Sequence, residues 1–404
     1  MKIAIVGAGL TGLVAGYRLS QKGHKVTIFE KSADVGGLAG GFEIGGTSLE
    51  KAYHHIFTTD KYIIELVEEL GLTDKLKWYP EKTALYYDKT IYPFMGAMDL
   101  LKFKPLGFLD KVRLGLVKIW LEKNNNWQKY ENQSAYEWMN KWCGKRAYKV
   151  IWEPLLRGKF HEKYKEVSMA WLWARIHTRG NSGKLGYFTG GFNIISQELA
   201  KRIKENGGKI LLNHKLLITN YELLINNEEL KKFDKVLYTG PSKEVEYLGA
   251  VCLVFTSKQS LSKFYWHNIN DTKSPFLCFI QHTNLIDKNN YGGKNVYYLG
   301  VYVPHEHRNF GEKEELIVGE WFDYLKKIVP TFDKKMVEDK WLFRLKNAQH
   351  IVSSKYKVPS AKLGKNIFQA NFAMIYPEDR GTNFAVREGE KIAKILNSKE
   401  TINW

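Results

Sequence analysis

Cysteine is scarce in this chain: Cys143, Cys252 and Cys278 are the only three in 404 residues. An odd count at wide separation argues against a disulfide framework, fits a reducing compartment and leaves no zinc-type spacing. Long apolar runs are missing too. None approaches the ~18 residues that cross a bilayer, and no signal segment precedes the first apolar run. The expectation is a cytoplasmic protein, soluble or in peripheral contact with a membrane. Acidic residues are in deficit: 43 Asp+Glu face 61 Lys+Arg, for a net charge of +18. The lysines are spread evenly, with no basic tail and no recognition motif, so nucleic acid is set aside. A general solvated surface is the first reading of the charge; an anionic substrate and an anionic membrane surface are the sharper ones. There is no internal repeat, no Ser/His/Asp pattern and no phosphate-loop motif. His305-Glu306-His307 alternates across the backbone and reads as a surface turn, so no metal is expected. The length allows large cores and suggests about two or three domains.

What is present begins at Ile3-Ala4-Ile5-Val6, an apolar run suited to a buried parallel strand. Gly7-Ala8-Gly9-Leu10-Thr11-Gly12 follows, and then an Ala/Leu-rich helical pattern to Gln21. Each glycine has a physical task. Gly7 permits a tight turn, Gly9 lets the backbone approach a pyrophosphate, and Gly12 lets the helix pack close to the strand. The helix N-terminus, from Leu10 and Thr11 onward, offers free N–H groups and partial positive charge to a diphosphate. A second strand, Val26-Thr27-Ile28-Phe29, ends at Glu30, eighteen residues beyond Gly12. An acid there accepts hydrogen bonds from ribose hydroxyls and repels a 2′-phosphate, which disfavours NADP. Lys31 comes next, and a second glycine pair, Gly36-Gly37, precedes Leu38.

The run V-G-A-G-L-T-G-L, then G-H-K-V-T-I-F-E-K, then G-G-L-A-G-G-F resembles the N-terminal signature of the flavin-containing amine oxidase superfamily. That group includes protoporphyrinogen oxidase-like and phytoene desaturase-like enzymes. The resemblance implies FAD as cofactor. It places Gly7, Gly9, Leu10, Thr11, Gly12, Glu30 and Lys31 at its adenosine and diphosphate end, and Gly36, Gly37 and Leu38 along the phosphates or flavin. It also implies an α/β fold in which a Rossmann-type FAD-binding domain with a parallel sheet is interleaved with an α+β substrate domain of antiparallel sheet plus helices. Patterning along the chain agrees with that plan. Lys61–Leu70 reads as an amphipathic helix, Ala84–Tyr92 as a hairpin, and Met98–Trp173 as a helical block broken near Pro105 and Pro154. Gly190-Gly191-Phe192 opens a helix to Ile203, followed by strands at Lys209–Asn213, Glu222–Ile225 and Asp234–Tyr238. Short β-type runs from Tyr247 to Val303 suggest a mainly antiparallel sheet. Glu314–Val329 is helical, Asn366–Gln369 a strand and Thr382–Leu396 a helix. The FAD-binding domain is expected to gather residues 1–55, 185–240 and 360–404, and the substrate domain residues 56–184 and 241–359.

The resemblance further implies a backbone contact near the adenine at Leu216. At the C-terminal end it departs from pattern: the last strand usually ends in Gly-Asp, and here it ends Gln369-Ala370-Asn371. Asn371 can hydrogen-bond a hydroxyl or phosphate without bringing charge. Asn383, Phe384 and Ala385 then open the final helix, where the family sets backbone N–H groups against the flavin; such a helix end stabilises negative charge on a reduced flavin.

Reaction chemistry is less legible. His54 and His55 fall where relatives approach the flavin, and as titratable groups they could move protons, with a structural hydrogen-bonding role as the alternative. On a helix, Trp171, Arg175 and Thr178 share one face, and Trp173 and His177 another, and such a segment, Trp173 included, could line a pocket for an anionic substrate. Arg175 is a forked donor suited to an anionic group, with Arg157 and Arg344 as further candidates; an ordinary ion pair is the plainer reading of each. Tyr187 and Tyr376 could form an aromatic wall, or simply pack. The catalytic residues are thus open, with His54 and Arg175 the candidates. Tyr92–Lys123 carries many large apolar residues among lysines; an internal helical pair is preferred to a membrane-resting surface or a substrate tunnel.

The expected activity is FAD-dependent oxidation of a C–N or C–C bond, with a hydride leaving its C–H, in a small-molecule substrate, anionic or apolar. Oxygen, a quinone or another acceptor would reoxidise the flavin. Two alternatives stand beside it. One is a flavin-dependent sugar-nucleotide mutase resembling UDP-galactopyranose mutase, although Gly36-Gly37-Leu38-Ala39 lacks the Asn usual after Gly-Gly there. The other is a non-catalytic FAD-binding partner protein. The oligomeric state is not readable.

Overall fold

A computed structural model describes residues 1–179, 183–216 and 227–398. The strand expected at Glu222–Ile225 lies outside the described residues. The chain opens with β1 (Lys2–Val6), α1 (Leu10–Gln21) and β2 (Lys25–Phe29). Ile3, Ala4 and Ile5 are fully buried, as a strand paired on both edges requires. α1 lies tight on this sheet because Gly16 carries no side chain; a Cβ there would come within 2.9 Å of Ile28. Next come the hairpin β3 (Gly41–Ile44) and β4 (Thr47–Glu50), then β5 (Ile56–Phe57), α2 (Lys61–Glu69), β6 (Leu76–Pro80), β7 (Thr83–Tyr87) and β8 (Thr90–Pro93).

The helical block comprises α3 (Ala97–Lys102), α4 (Phe108–Lys123), α5 (Ala135–Cys143), α6 (Glu153–Phe160) and α7 (Met169–Arg179). Pro154 does not break it. It sits in the first turn of α6, where a missing N–H costs nothing, after a π-helical turn at Tyr148–Trp152. The core of this block includes Phe103, Leu114, Tyr148, Trp171 and Leu172. α4 is not half of an internal pair: it buries Leu114, Val117 and Leu121 and exposes Phe108, Leu109 and Leu116.

Beyond it run β9 (Lys184–Phe188), α8 (Asn193–Glu205), β10 (Lys209–Leu211) and β11 (Lys235–Tyr238). Then follow β12 (Tyr247–Ser257), β13 (Trp266–Ile269), β14 (Cys278–Gln281), β15 (Asn295–Val303), α9 (Glu314–Ile328) and β16 (Val337–His350). The chain closes with β17 (Ile367–Gln369) and α10 (Thr382–Asn397). All three cysteines are buried and free.

Five strands form a wholly parallel sheet in the order β10-β2-β1-β11-β17. Strand order reverses at β1, so the carboxyl ends of β1 and β11 open a crevice of the kind that takes ligands in α/β sheets. A seven-stranded sheet, β16-β12-β15-β14-β13-β7-β8, is antiparallel except for the β13·β7 pair. β16 carries Glu338, Asp339, Lys340, Arg344 and Lys346, which hide it as a strand by hydropathy. At the edge of a sheet such charges deter strand addition. The mixture of parallel and antiparallel sheets with covering helices is the α/β class read from sequence. Among the described residues no helix is long and apolar enough to cross a membrane.

Candidate active site

Main-chain geometry builds one end of the site. Gly7 turns with φ +109°, and a Cβ on it would strike Thr239 Oγ1 at 2.4 Å. A Cβ on Gly12 would come within 2.2 Å of the Gly7 carbonyl oxygen. Around Gly9, by contrast, a Cβ would meet nothing within 4 Å, so this glycine leaves open space rather than filling a tight contact. Gly9 is also the N-cap of α1, with no side-chain cap bond and no acid in the first turn. The first N–H groups of α1 therefore face that space unneutralised, the condition for holding a diphosphate. Gly36 (φ +112°) donates its N–H to the Ala8 carbonyl, which ties the second glycine pair to the first.

At the end of β2, Glu30 is buried and accepts from the Ala8 N–H at 2.7 Å and the Ser32 N–H at 2.9 Å. Each oxygen keeps a second lone pair, so a ribose hydroxyl can still be accepted. The chain beyond β10 returns to this point: the His214 N–H donates to the Glu30 carbonyl, and Leu216 packs on the small cluster of Ala4, Phe29, Leu230 and Val236. Lys31 is exposed beside it. These donors and acceptors fit the diphosphate and ribose of a dinucleotide.

The other end is a second helix N-terminus. α10 starts after Gly381, again with no side-chain cap bond and no acid in its first turn. It packs on α1 through Gly389, where a Cβ would come within 2.8 Å of the Thr11 carbonyl oxygen, and through Thr11 Oγ1, which donates to the Ala385 carbonyl. Two positive helix ends thus share one crevice. Leu38 and residues 381–384 border a cavity that continues to Tyr53, His54, His55, Trp266 and Tyr302.

Charge in that cavity is concentrated. Lys159 of α6 donates to Asp379 at 2.8 Å, Arg175 of α7 pairs with the same carboxylate, and Trp171 Nε1 donates to its other oxygen at 3.3 Å. Arg380, next in sequence, donates to Tyr302 Oη at 2.7 Å and Gln349 Oε1 at 3.1 Å. Burial alone would raise the Asp379 carboxyl, but Lys159, Arg175 and Arg380 outweigh it and hold it well below the usual carboxylate range. Burial pushes the Lys159 ammonium down to about 7, against the pull of Asp379 and with the repulsion of both arginines. Burial likewise lowers His54 to about 4. Its Nδ1 lies 2.7 Å from the Ala52 carbonyl, so Nδ1 carries the proton and Nε2 is a free acceptor in the neutral ring.

His54, His55 and Arg175, the candidates read from sequence, all border this cavity. Four other residues considered for substrate contact lie elsewhere. Tyr187 is fully buried and donates to Glu50 at 2.6 Å. Trp173 is buried, stacks on His177 at 4.5 Å and donates to the Asn124 carbonyl. Arg157 pairs with Glu153 and borders a second cavity near His161 and His307. Tyr376 shares a hydrogen bond with Ser168 and packs edge-on against Trp127. Arg344 donates to the Asn309 and Glu312 carbonyls. Asn371 is buried; it accepts from the Ala373 N–H and donates to Gln369 Oε1. Asn383 lines the cavity, and its Oδ1 accepts from the Ile63 N–H in α2. Lys159, Asp379 and Arg380 were missed as a group. Their one local signal was an acid placed just before an uncapped glycine-led helix.

A family model of flavin containing amine oxidoreductases matches residues 10–275. Two relatives share sequence. A 4,4'-diapophytoene desaturase (4,4'-diaponeurosporene-forming) of Staphylococcus haemolyticus is 47% identical over 62 residues, 15% of this chain and 12% of the relative. An uncharacterised protein of Methanocaldococcus jannaschii is 28% identical over 226 residues, 54% of this chain and 52% of that protein. The chain thus spans about half the length of the second relative and far less of the first. The fold is shared more widely. A candidate protoporphyrinogen oxidase from Exiguobacterium superposes with a TM-score of 0.74 at 15% identity, covering 98% of both chains. A reduced UDP-galactopyranose mutase superposes with a TM-score of 0.69 at 14% identity, covering 98% of this chain and 96% of that one. The family-model match over residues 10–275 spans well over half of the chain, so this chain belongs to the flavin containing amine oxidoreductase family.

Proposed function

We propose that the enzyme oxidises a small molecule bearing a carboxylate or phosphate group, held in the cavity by Arg380, Arg175 and Lys159. The carrying observation is that Lys159 and Arg175 share one carboxylate, Asp379, while Arg380, bonded to the neutral Tyr302 and Gln349, lines the same half-enclosed space beside an uncapped helix end. The other lining acid, Asp60, accepts from the Phe57 N–H. An incoming anion supplies the missing counter-charge, and the guanidinium forks orient it.

The cofactor would be held by Gly9–Gly12 and Glu30 at its adenosine end, with Lys31 and Leu216 nearby. Gly36, Gly37, Leu38 and residues 383–385 would contact the remainder, with Asn371 beneath as a turn-forming residue. These contacts divide the chain into an FAD-binding domain of residues 1–55, 185–240 and 360–404 and a substrate domain of residues 56–184 and 241–359. The parallel sheet supports this, since its five strands come from the first set alone. When bound, FAD would supply a two-electron acceptor for a hydride leaving a C–H bond beside the nitrogen or carbon to which a double bond forms. The proton released with that hydride goes to a residue of this chain. His54 Nε2, an acceptor in the neutral ring on the cavity wall, takes it, while Lys159 stays the cation that Asp379 holds. Trp266 and Tyr302 wall the cavity.

The test is anaerobic mixing of the flavin-loaded enzyme with matched compounds that differ only in a carboxylate or phosphate. Flavin bleaching by the anionic members, with KM raised at least about tenfold in Arg380→Gln, supports the reading. Equal bleaching by the uncharged members ends it. The mutase reading rests on the same cations, which suit a nucleotide diphosphate. It predicts tight UDP-sugar binding and conversion with reduced flavin, without net bleaching.

A further inference from the structure

We propose that the exposed face of α4, with α3 beside it, is a docking surface for an anionic lipid bilayer. α4 is apolar on two opposite sides. Leu114, Val117 and Leu121 point into the core of the helical block. Phe108 (70% exposed), Leu109 (81%) and Leu116 (63%) point away from it, and Val112 and Ile119 fill the same helical arc. A helix that only closed a core would carry polar residues there. α3 adds Met98 and Leu101, both at least half exposed.

Aromatic residues at the margin fit an interface. Trp120 and Trp142 are partly exposed and lie 5.9 Å apart, with the Lys129 ammonium 4.6 Å over Trp120 and that of Lys141 5.6 Å over Trp142. Indole rings paired with lysines sit well at the headgroup level. Lysines also bracket the apolar stripe: Lys104 precedes it, and Lys123, seven residues beyond Leu116, closes it on the same helical face. Between Ala97 and Arg146 the chain has ten Lys/Arg against five Asp/Glu.

That charge decides the occupant. A second copy of the chain would set +18 against +18 across the contact, whereas an anionic leaflet is complementary to it. An amphipathic helix lying in the interface buries its apolar face at the headgroup–acyl boundary and gains from each nearby lysine. No spanning helix is needed, and none is present among the described residues.

The flavin-loaded enzyme is floated with vesicles of phosphatidylcholine alone and of phosphatidylcholine with phosphatidylglycerol. Binding to the mixed vesicles that falls with added salt is the expected result. Leu109→Glu/Leu116→Glu, both highly exposed, lowers it at least tenfold while flavin content and melting temperature stay at wild-type values. Lys104→Gln and Lys123→Gln each lower it by about fivefold. Absence of binding to mixed vesicles overturns the proposal, as does equal binding by the double-Glu variant. So does a dimer, seen by sedimentation, that the double-Glu change dissolves while no vesicle is bound.

Discussion

At the N-terminus of α1 the groups on offer to a ligand are main-chain N–H donors, and glycines set their positions. In the cavity they are side-chain charges: Lys159 from α6, Arg175 from α7, and Asp379 with Arg380 from the loop before α10. The first region is assembled from about forty consecutive residues and needs no buried charge beyond Glu30. The second is assembled from parts of the chain more than two hundred residues apart and carries the cost of taking four charges out of water. Backbone cradles recognise a group common to many cofactors. Side-chain clusters, which can change one residue at a time, are where a substrate is chosen.

Substitutions that break each region separate these two modes. The largest stability loss is expected for Asp379→Asn, which leaves Lys159 and Arg175 without their shared partner. Removing one member of a buried charge group costs about 3–5 kcal/mol, read as a lowered urea midpoint. A phosphate-sensitive partial recovery would sharpen the case for an anion site. Gly12→Ala is next. Its Cβ meets the Gly7 carbonyl oxygen, which is backbone and cannot swing aside, so about 1–3 kcal/mol and most of the bound flavin should be lost.

The pH dependence of unfolding tests the groups behind the cavity. Burial raises Glu50 to about 7, against the hydrogen bonds from Tyr187 and the Phe192 N–H. Its folded value lies above its unfolded one, so its contribution is fully present below about pH 4.5 and is lost as pH rises to 7. Lys159 has the opposite sign: its folded value, about 7, lies below its unfolded one. Its contribution is present above about pH 10.5 and is lost as pH falls towards 7. Urea midpoints across pH should therefore dip near neutrality. Glu50→Gln should flatten the acid side of the dip and Lys159→Met the alkaline side.

The smallest stability effect is expected for Gly9→Ala. The added methyl enters open space at φ −71°, a backbone conformation alanine adopts freely. The melting temperature should hold while flavin content falls at least tenfold. A stable protein that still binds flavin would mean that the open space at Gly9 is not the diphosphate site.

This contrast also explains what sequence alone could reach. Gly7, Gly9, Gly12 and Glu30 are legible because strand, turn, helix and strand follow one another, and local spacing dictates their geometry. The two ends of α10 and the strands of the parallel sheet were legible for the same reason. β16 was not, because an edge strand interrupted by Glu338, Asp339, Lys340, Arg344 and Lys346 has no hydropathic signature. Asp379 could not be tied to Lys159 and Arg175, since no local spacing relates α6, α7 and the loop before α10. Tyr187 and Trp173 show the opposite error. An aromatic near an inferred site was credited with lining it, and packing turned each into the core. The exposed side of α4 was misread as interior because a second apolar face is indistinguishable, in sequence, from a broad buried one.

The most direct test of the account is a crystal structure of the flavin-loaded enzyme. It should place the diphosphate within hydrogen-bond reach of the first N–H groups of α1, the ribose on Glu30, and the flavin ring at Leu38 and the start of α10, facing Lys159 and Arg175. A flavin ring lying away from that charged cluster, for example in the second cavity beside Arg157, would contradict it.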